Sequence, residues 1–181
     1  RGISRTVLAE FIKRRMIYED RKYHNAVFVG YDKSGVARHA HKHGTFTGGK
    51  AFKGNEESSD PKYSFHWTGK SGRLYVFEAP IDLLSFLTLY QKEWEQHSYV
   101  ALCGLSEQGL FQMLEDVPYI RQVALCLDRD RAGLQAEERI QKNLEGRGYR
   151  EVFPLFPSGK DWNEDLQELM AQGRRENLQM Q

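Results

Sequence analysis

Residues 123–133 read Val-Ala-Leu-Cys-Leu-Asp-Arg-Asp-Arg-Ala-Gly, and this stretch decides the fold. An apolar run leads directly into Asp128 and Asp130, and a predicted helix follows over residues 131–146. A strand that passes through a carboxylate into a helix is typical of a parallel α/β sheet, whose sites lie at the carboxyl ends of the strands. We therefore predict an α/β domain with acidic side chains at that edge.

Two further acidic segments follow predicted strands in the same way. Glu78 and Asp82 lie in Leu-Tyr-Val-Phe-Glu-Ala-Pro-Ile-Asp (74–82), and Asp161 lies in Gly-Lys-Asp-Trp-Asn-Glu-Asp (159–165). Carboxylates that meet at one edge repel each other unless a divalent cation lies between them. Hard oxygen ligands suit Mg²⁺, which keeps several waters and binds substrate phosphates through its other positions. The sequence therefore predicts metal-assisted phosphoryl chemistry on nucleic acid.

The charges of the 181 residues are unevenly divided along the chain. Residues 1–73 hold 15 Lys and Arg against 7 Asp and Glu, whereas residues 74–181 hold 11 against 18. This division fits a first part that binds a polyanion and a second part that binds a metal ion. Two oppositely charged subdomains that only attract each other are the alternative.

Membrane and secretion signals are missing from the sequence pattern. No apolar run approaches the ~20 residues of a membrane span, and the N-terminus has no apolar signal-peptide region. We expect a cytoplasmic protein with no membrane partner. Because the chain opens at Arg1 rather than Met, we also expect a fragment of a longer protein.

The pattern of elements changes near residue 73. Before it, a helix and a mainly antiparallel sheet form a predicted α+β unit over residues 1–72. After it, strands and helices alternate, which predicts a mainly parallel sheet flanked by helices over residues 73–172, with a frayed tail at 173–181. The elements predicted for the first part are a helix at 6–16, strands at 25–31, 36–43 and 63–67, and a loop at 44–62. Those of the second part are strands at 74–77, 99–103, 121–127 and 150–156, and helices at 80–96, 106–115, 131–146 and 161–172.

The acidic segments resemble the Toprim domain of bacterial primases, topoisomerases and related nucleases. The resemblance rests on the segments ending at Asp82 and Gly133, is closest to the primase-like branch, and covers residues 73–165. The stretch Gly-Lys-Asp-Trp-Asn at 159–163 resembles the further acidic segment of that branch. Residues 1–72, with Asn-Ala-Val-Phe-Val-Gly and Gly-Thr-Phe, are similar to a poorly characterised domain that precedes Toprim modules in mobile-element proteins.

This resemblance implies a role for each acidic residue. Glu78 would be the general acid/base or a metal ligand. Asp128 and Asp130 would hold Mg²⁺, with Mn²⁺ as the alternative ion. Asp82 and Asp161 would add ligands to the same metal. The alternatives are helix capping for Asp128, Asp130 and Asp161, and an interaction with the helix dipole for Asp82.

The activity that the resemblance implies is a primase-like nucleotidyl transfer on DNA, with single strands and nucleotides as substrates. A helicase or another replication protein is the expected partner. A Toprim nuclease, or a module that binds DNA without catalysis, is the alternative. The chain departs from the family at one position, because the Toprim glutamate is usually followed by Gly and here Ala79 follows. A turn that required positive φ at this position would be strained.

Several basic residues are candidate nucleic-acid contacts. Lysines interleaved with Phe46 and Phe52 suit single-strand binding, in which rings stack on bases and lysines follow the backbone. The alternatives are rings that anchor the loop in the core, and arginines that pair with carboxylates. The candidates are Arg38, Lys42, Lys50, Lys53, Arg129 and Arg131.

Three histidines alternate along one predicted strand. His39, His41 and His43 share a face, which we interpret as a solvated face of the hairpin. A transition-metal site or a phosphate site is the alternative.

Overall fold

A computed structural model describes residues 1–45, 52–104 and 106–179, with side chains as far as residue 175. Within these residues one sheet is antiparallel and the other is mainly parallel, so the predicted α/β fold class is confirmed. The helices are α1 (Arg5–Lys13), α2 (Pro80–Leu89), α3 (Gln108–Asp116), α4 (Arg131–Gly146) and α5 (Trp162–Gln179). The strands are β1 (Ile17–Glu19), β2 (Ala26–Tyr31), β3 (Ala37–His43), β4 (Lys53–Asn55), β5 (His66–Trp67), β6 (Arg73–Phe77), β7 (Ser98–Ala101), β8 (Gln122–Leu125) and β9 (Glu151–Pro154).

The antiparallel sheet has the strand order β1-β2-β3-β4. Its central hairpin is closed by Asp32, whose Oδ1 accepts the backbone N–H groups of Ser34 and Val36 at 2.9 and 3.0 Å. Gly35 takes the left-handed conformation of this turn, with φ at 76°. The hairpin predicted from Asp-Lys-Ser-Gly therefore forms where the sequence places it.

The parallel sheet has the order β5-β7-β6-β8-β9, and β5 alone among its described strands runs antiparallel to its neighbour. Both faces are buried, because neighbouring residues of each strand enter different cores. Tyr75 and Phe77 of β6 face the core built with α1, α2 and α5, whereas Leu74 and Val76 face the core built with α3 and α4. Helices on both faces leave the carboxyl ends of the parallel strands as the open edge.

Strand β5 differs from its predicted place. The sequence assigned it to the first, antiparallel unit, but His66 and Trp67 pair with Val100 and Tyr99 of β7. Phe65 beside it is fully buried and stacks near Phe11 of α1, with ring centroids 5.2 Å apart. Local alternation predicted the strand correctly, but its partner is decided by tertiary packing.

Several boundaries also differ from the predictions. Helix α1 ends earlier because Arg15 takes a φ of 60°, and α2 ends before Glu93, whose φ is 55°. The tail predicted to fray from residue 173 continues α5 to Gln179. Strand β4 lies inside the predicted loop. Among the described helices, none combines the length and apolar character needed to cross a membrane.

The face with the three histidines is buried, so the prediction of a solvated face is wrong. His39, His41 and His43 are 3%, 5% and 4% exposed. The alternation of β3 was read correctly, but alternation does not tell which face turns inward. The inner face lies against the chain around Tyr63, because a Cβ at Gly30 would come within 1.7 Å of the Tyr63 carbonyl oxygen.

We expect His39 to make the fold sensitive to acid. Neither ring nitrogen has a hydrogen-bond partner within the described part of the chain, and burial lowers the pKa of His39 to about 4. The unfolded chain takes up this proton near pH 6.5, so the contribution of His39 is complete above that pH and is lost as the pH falls towards 4. The loss amounts to roughly 3 kcal/mol of unfolding free energy.

The measurement is urea unfolding between pH 7 and pH 4 for the wild type and His39→Leu. The variant should lose much less stability over this interval, since leucine has no proton to bind. His24→Gln, at an exposed histidine, is the control and should follow the wild type. Parallel pH profiles for His39→Leu and the wild type would contradict the prediction.

Candidate metal and nucleic-acid site

The carboxyl edge of the parallel sheet collects the acidic segments. Strands β6 and β8 are parallel neighbours, with Val76 opposite Leu125. Glu78 follows the end of β6 and Asp128 follows the end of β8, so both lie at this edge. Asp130 and Asp161 begin the helices that leave the same edge. The charges of these carboxylates reach each other, since those of Glu78, Asp161 and Asp130 all raise the pKa of Asp128.

Asp128 is the most electrostatically strained of the group. Its carboxyl pKa is raised to about 8, first by burial and then by the charges of Asp82, Glu78, Asp161 and Asp130. Its Oδ1 is buried and has no hydrogen-bond donor within the described residues. A buried carboxylate oxygen without a donor is costly, and a bound cation would remove that cost.

Asp130 and Asp161 both cap helices, as their alternative interpretation proposed. Oδ1 of Asp130 accepts the N–H groups of Ala132 and Gly133, both at 3.0 Å. Oδ1 of Asp161 accepts the N–H of Glu164 at 2.8 Å. In each case the cap uses one oxygen, and Oδ2 of Asp130 lies 3.9 Å from the Lys160 ammonium, beyond hydrogen-bond distance, so that it can still take a metal ion.

Gly133 allows α4 to approach the acidic loop. A Cβ at this position would lie 2.0 Å from the carbonyl oxygen of Asp128, far inside van der Waals contact. The Ala-Gly of the motif therefore has a steric cause, which is the close contact between α4 and the backbone that carries Asp128.

Asp82 lies deeper than the other carboxylates and is 6% exposed. Its Oδ1 accepts the backbone N–H of Asn163 at 3.3 Å, which joins the first turn of α2 to the start of α5. Burial and, after it, the charge of Asp161 raise its pKa to about 7. The hydrogen bond of Asp82 therefore helps to fix the start of α5, which follows Asp161, relative to α2.

Glu78 borders a cleft of about 190 Å³ between the two sheets. The far wall comes from the antiparallel sheet and includes His41, Lys53 and Asn55. Burial raises the pKa of Glu78, as does the charge of Asp130. Ala79 after it takes extended backbone, with φ at −131°, so the missing glycine causes no strain.

The oxygen atoms at this edge decide whether it can bind Mg²⁺. Among the residues that the structure describes, no three His, Cys, Asp or Glu side chains are grouped closely enough to hold a metal ion by themselves. Mg²⁺ does not require such a cage, because one or two carboxylates, waters and substrate phosphates complete its shell. The unpartnered Oδ1 of Asp128 and the second oxygen of Asp130 fit that mode of binding.

The basic candidates separate into two groups. Lys53 lies near the carboxylates, because its charge lowers the pKa of both Glu78 and Asp82. Arg38 and Lys42 are instead paired with carboxylates of their own unit, at 2.7 Å from Asp32 and Glu56 respectively. Their predicted role in nucleic-acid binding is therefore weaker.

The remaining candidates have different positions. Arg129 donates to the Ser158 carbonyl at 3.3 Å, and Arg131 is exposed at the first position of α4. Phe52 is 57% exposed and available for stacking. Lys50 and Phe46 lie outside the described residues.

Sequence reasoning missed two residues of the third acidic segment. The Lys160 ammonium lies 3.9 Å from Oδ2 of Asp130, and its charge lowers the pKa of Glu78. Asn163 is 2% exposed and donates to the Ser85 hydroxyl at 3.0 Å and to the Arg1 carbonyl at 2.9 Å. Both residues lie within two positions of Asp161. Their polar side chains inside an acidic motif are the sequence signal that could have identified them.

Comparison with protein families gives two matches, one for each part of the chain. A family described as Toprim-like matches residues 75–166, which is half of the chain. The chain belongs to the Toprim-like family. The region before it, residues 1–71, matches a family described as a protein of unknown function, DUF3991. The predicted resemblance to Toprim is therefore confirmed, and the division at residue 72 stays a prediction.

Relatives of this Toprim-like protein include two uncharacterized proteins. The protein pXO2-78 of Bacillus anthracis is 28% identical, over 97% of this chain and 58% of its own length. The MG010 homolog of Mycoplasma pneumoniae is 29% identical, over 56% of this chain and 46% of its own length. The chain spans about half the length of these curated relatives.

Solved structures with a similar fold include pieces of primases. The primase fragment of the bacteriophage T7 primase-helicase protein has a TM-score of 0.67 at 20% identity, over 95% of this chain and 70% of that one. The E. coli primase catalytic core has a TM-score of 0.55 at 18% identity, over 90% of this chain and 54% of that one. These likenesses establish the primase type of Toprim fold.

Proposed function

We propose that this Toprim-like chain is the catalytic part of a primase-like nucleotidyltransferase that uses Mg²⁺ on a single-stranded DNA template. The observation that carries the proposal is the buried, unpartnered Oδ1 of Asp128 at an edge shared with Glu78 and Asp130. A carboxylate cluster of this kind is costly for the fold unless a cation is bound, and costly groups at a cleft are candidates for function.

Asp128 and Asp130 are the residues that would hold the metal ion, with Asp161 beside them. Mg²⁺ would supply neutralisation of the phosphoryl charge and orientation of the attacking oxygen. Mn²⁺, with similar oxygen ligands, is the alternative ion. Asp130 and Asp161 keep their oxygens oriented by capping two helices, so their positions are set before any ligand arrives.

Glu78 is the general base of the proposed reaction. Its raised pKa makes its carboxylate a stronger base than an ordinary glutamate. It borders the cleft, and in the proposed reaction it accepts the proton of a 3′-hydroxyl whose oxygen attacks the α-phosphorus of a nucleoside triphosphate, while the bond to pyrophosphate breaks and pyrophosphate leaves. Lys53 on one side and Lys160 on the other supply positive charge for the phosphate groups of a nucleotide or template.

The test of this proposal uses the whole chain with a single-stranded DNA template, labelled ribonucleotides and Mg²⁺. Oligonucleotides complementary to the template would support a primase. Cutting of the template without synthesis would replace the proposal by a Toprim nuclease, in which water takes the place of the hydroxyl. Binding of the template without either reaction would leave a non-catalytic DNA-binding module. A helicase or another replication protein is the partner class that we propose.

Lys53→Gln is expected to weaken binding of single-stranded DNA. Lys53 has no carboxylate partner within salt-bridge distance among the described residues, whereas Lys42 is held by Glu56 at 2.7 Å. Loss of one phosphate contact should lower the slope of log affinity against log salt by roughly 0.7. Fluorescence anisotropy at several salt concentrations measures both quantities. Lys42→Gln removes the same charge and is the matched control, and equal effects of the two variants would contradict the prediction.

A further inference from the structure

A second pocket lies away from the acidic edge. Helix α3 runs back from that edge, so its last turn, with Asp116, reaches the opposite end of the parallel sheet. There a pocket of about 260 Å³ opens between α3, the turn after β2 and the chain around β5. Its walls include Tyr31, Tyr63, His66 and Met113, none of which belongs to the proposed reaction.

The walls of this pocket are firmly packed. A Cβ at Gly109 of α3 would lie 2.2 Å from the Ser64 hydroxyl oxygen, so α3 rests directly on this part of the chain. On the other side, a Cβ at Gly30 of β2 would lie 1.7 Å from the Tyr63 carbonyl oxygen. The segment that carries Tyr63 and His66 is therefore held between β2 and α3, and the pocket has its shape before a ligand binds.

His66 presents a hydrogen-bond acceptor to the pocket. Its Nδ1 lies 2.8 Å from the Ser64 carbonyl oxygen, which can only accept, so Nδ1 carries the proton. The other nitrogen, Nε2, is therefore an acceptor in the neutral ring. Burial also lowers the pKa of His66, which keeps the ring neutral at physiological pH.

Asp116 offers a second acceptor, and Lys62 supplies positive charge. Oδ1 of Asp116 is occupied by Gln112 at 2.9 Å and by the Lys33 ammonium at 3.0 Å, which leaves Oδ2 for a ligand. The charge of Lys33 is therefore already paired, whereas Lys62 lines the pocket and is exposed. Acceptors, aromatic and apolar side chains, and the Lys62 ammonium thus surround one space.

We propose that this pocket binds a nucleoside monophosphate, with its base between the aromatic and Met113 side chains and its phosphate at Lys62. The base must carry an N–H donor for His66 Nε2 or Asp116 Oδ2, as adenine does. The volume lies just below the roughly 300–1,000 Å³ of typical ligand pockets, which favours a single nucleotide over a larger ligand. The inference is independent of the proposed reaction, because it uses none of the carboxylates at the other edge.

Such a ligand would touch both parts of the chain. Lys62 and His66 belong to the region matched by the family of unknown function, and Met113 and Asp116 belong to the Toprim-like region. Binding would therefore stabilise the contact between the two regions and give the first region a ligand-sensing role.

The experiment is a titration of the whole chain with adenosine monophosphate in EDTA, followed by NMR of ¹³C-labelled methionine methyl groups. The Met113 methyl lines the pocket, whereas Met16 is buried beside α1 and serves as an internal reference. The Met113 signal should shift to saturation while that of Met16 stays in place. EDTA removes metal-dependent binding at the acidic edge.

Charge variants test the assigned orientation. Lys62→Gln should weaken the affinity at least fivefold, and the matched variant Lys142→Gln, at another exposed lysine, should leave it unchanged. Asp128→Asn should keep the same affinity, since the pocket is separate from the acidic edge. A Met113 signal that does not move at millimolar nucleotide, or equal affinities of the two lysine variants, would overturn the inference.

Discussion

Asp128→Asn should stabilise the metal-free chain and at the same time strongly reduce the proposed template-directed synthesis. The side chain keeps its shape but loses the charge that its surroundings oppose. The pKa of the Asp128 carboxyl is about 8 in the fold against an ordinary value of 3.8, so the carboxylate costs stability increasingly from pH 4 to pH 8. The difference between the two pKa values corresponds to roughly 5–6 kcal/mol, and solvent screening at this partly exposed side chain lowers it, so that at pH 8 in EDTA the free energy of unfolding should rise on the order of 3 kcal/mol.

Stabilisation by Mg²⁺ should be smaller in Asp128→Asn than in the wild type. A wild-type chain that binds Mg²⁺ gains about 2.7 kcal/mol at 100 times the dissociation constant, and Asp128→Asn should lose most of this gain. Template-directed synthesis should fall by roughly 10²–10³-fold, the usual effect of removing one electrostatic contact to a transition state. Thermal and urea unfolding with EDTA and with Mg²⁺, beside the synthesis assay, measure all three effects.

Glu138→Gln is the control for this experiment, because Glu138 is an exposed carboxylate on α4. It should leave the stability, the Mg²⁺ response and the synthesis close to those of the wild type. If Asp128→Asn lost stability in EDTA while the wild type ignored Mg²⁺, Asp128 would be a structural residue and the proposed metal site would be wrong.

Gly133→Ala should damage the same site through the backbone. The added methyl group would lie 2.0 Å from the Asp128 carbonyl oxygen, so either α4 or the acidic loop must move. Overpacking of this kind costs about 1–3 kcal/mol, and the larger figure is expected here because the contact is with backbone. Displacement of Asp128 should also reduce the stabilisation by Mg²⁺, although no charge has been removed.

Gly146→Ala provides a matched control in the same helix. A Cβ at Gly146 meets no atom within 4 Å among those of the described structure, so the substitution adds a methyl group in open space. It should be neutral or stabilising by up to about 1 kcal/mol, since alanine favours a helix over glycine. Equal urea midpoints and equal Mg²⁺ responses for the two variants would show that the close approach at Gly133 is unimportant.

The parts of the fold that depend on local pattern could be predicted from the sequence. The apolar runs before Glu78 and Asp128 predicted strands, and their shared edge followed from the rule that parallel strands end together. The hairpin at Asp32 and the α/β alternation after residue 73 followed in the same way. Each of these depends on residues close together in the sequence.

The parts that depend on tertiary packing could not be predicted. His39, His41 and His43 were correctly placed on one face of a strand, but the burial of that face comes from Tyr63 and its neighbours. Lys160 meets Asp130 only because two loops approach each other. For Asp130 and Asp161 the sequence allowed both helix capping and metal binding. Only the structure shows that one oxygen of each residue caps a helix.

Strand β5 lies in the first region of the chain but pairs with the sheet of the second region, and this affects how the two regions can be inherited. Because His66 and Trp67 complete the edge of the parallel sheet, a gene that encoded only the residues after 72 would produce a sheet with an uncovered β7. That product would also lack Phe11 and Phe65, which fill the core beside Trp94. An unpaired edge strand beside an opened core favours aggregation. Recombination that separated the two regions would thus be selected against, and they should pass from genome to genome as one unit.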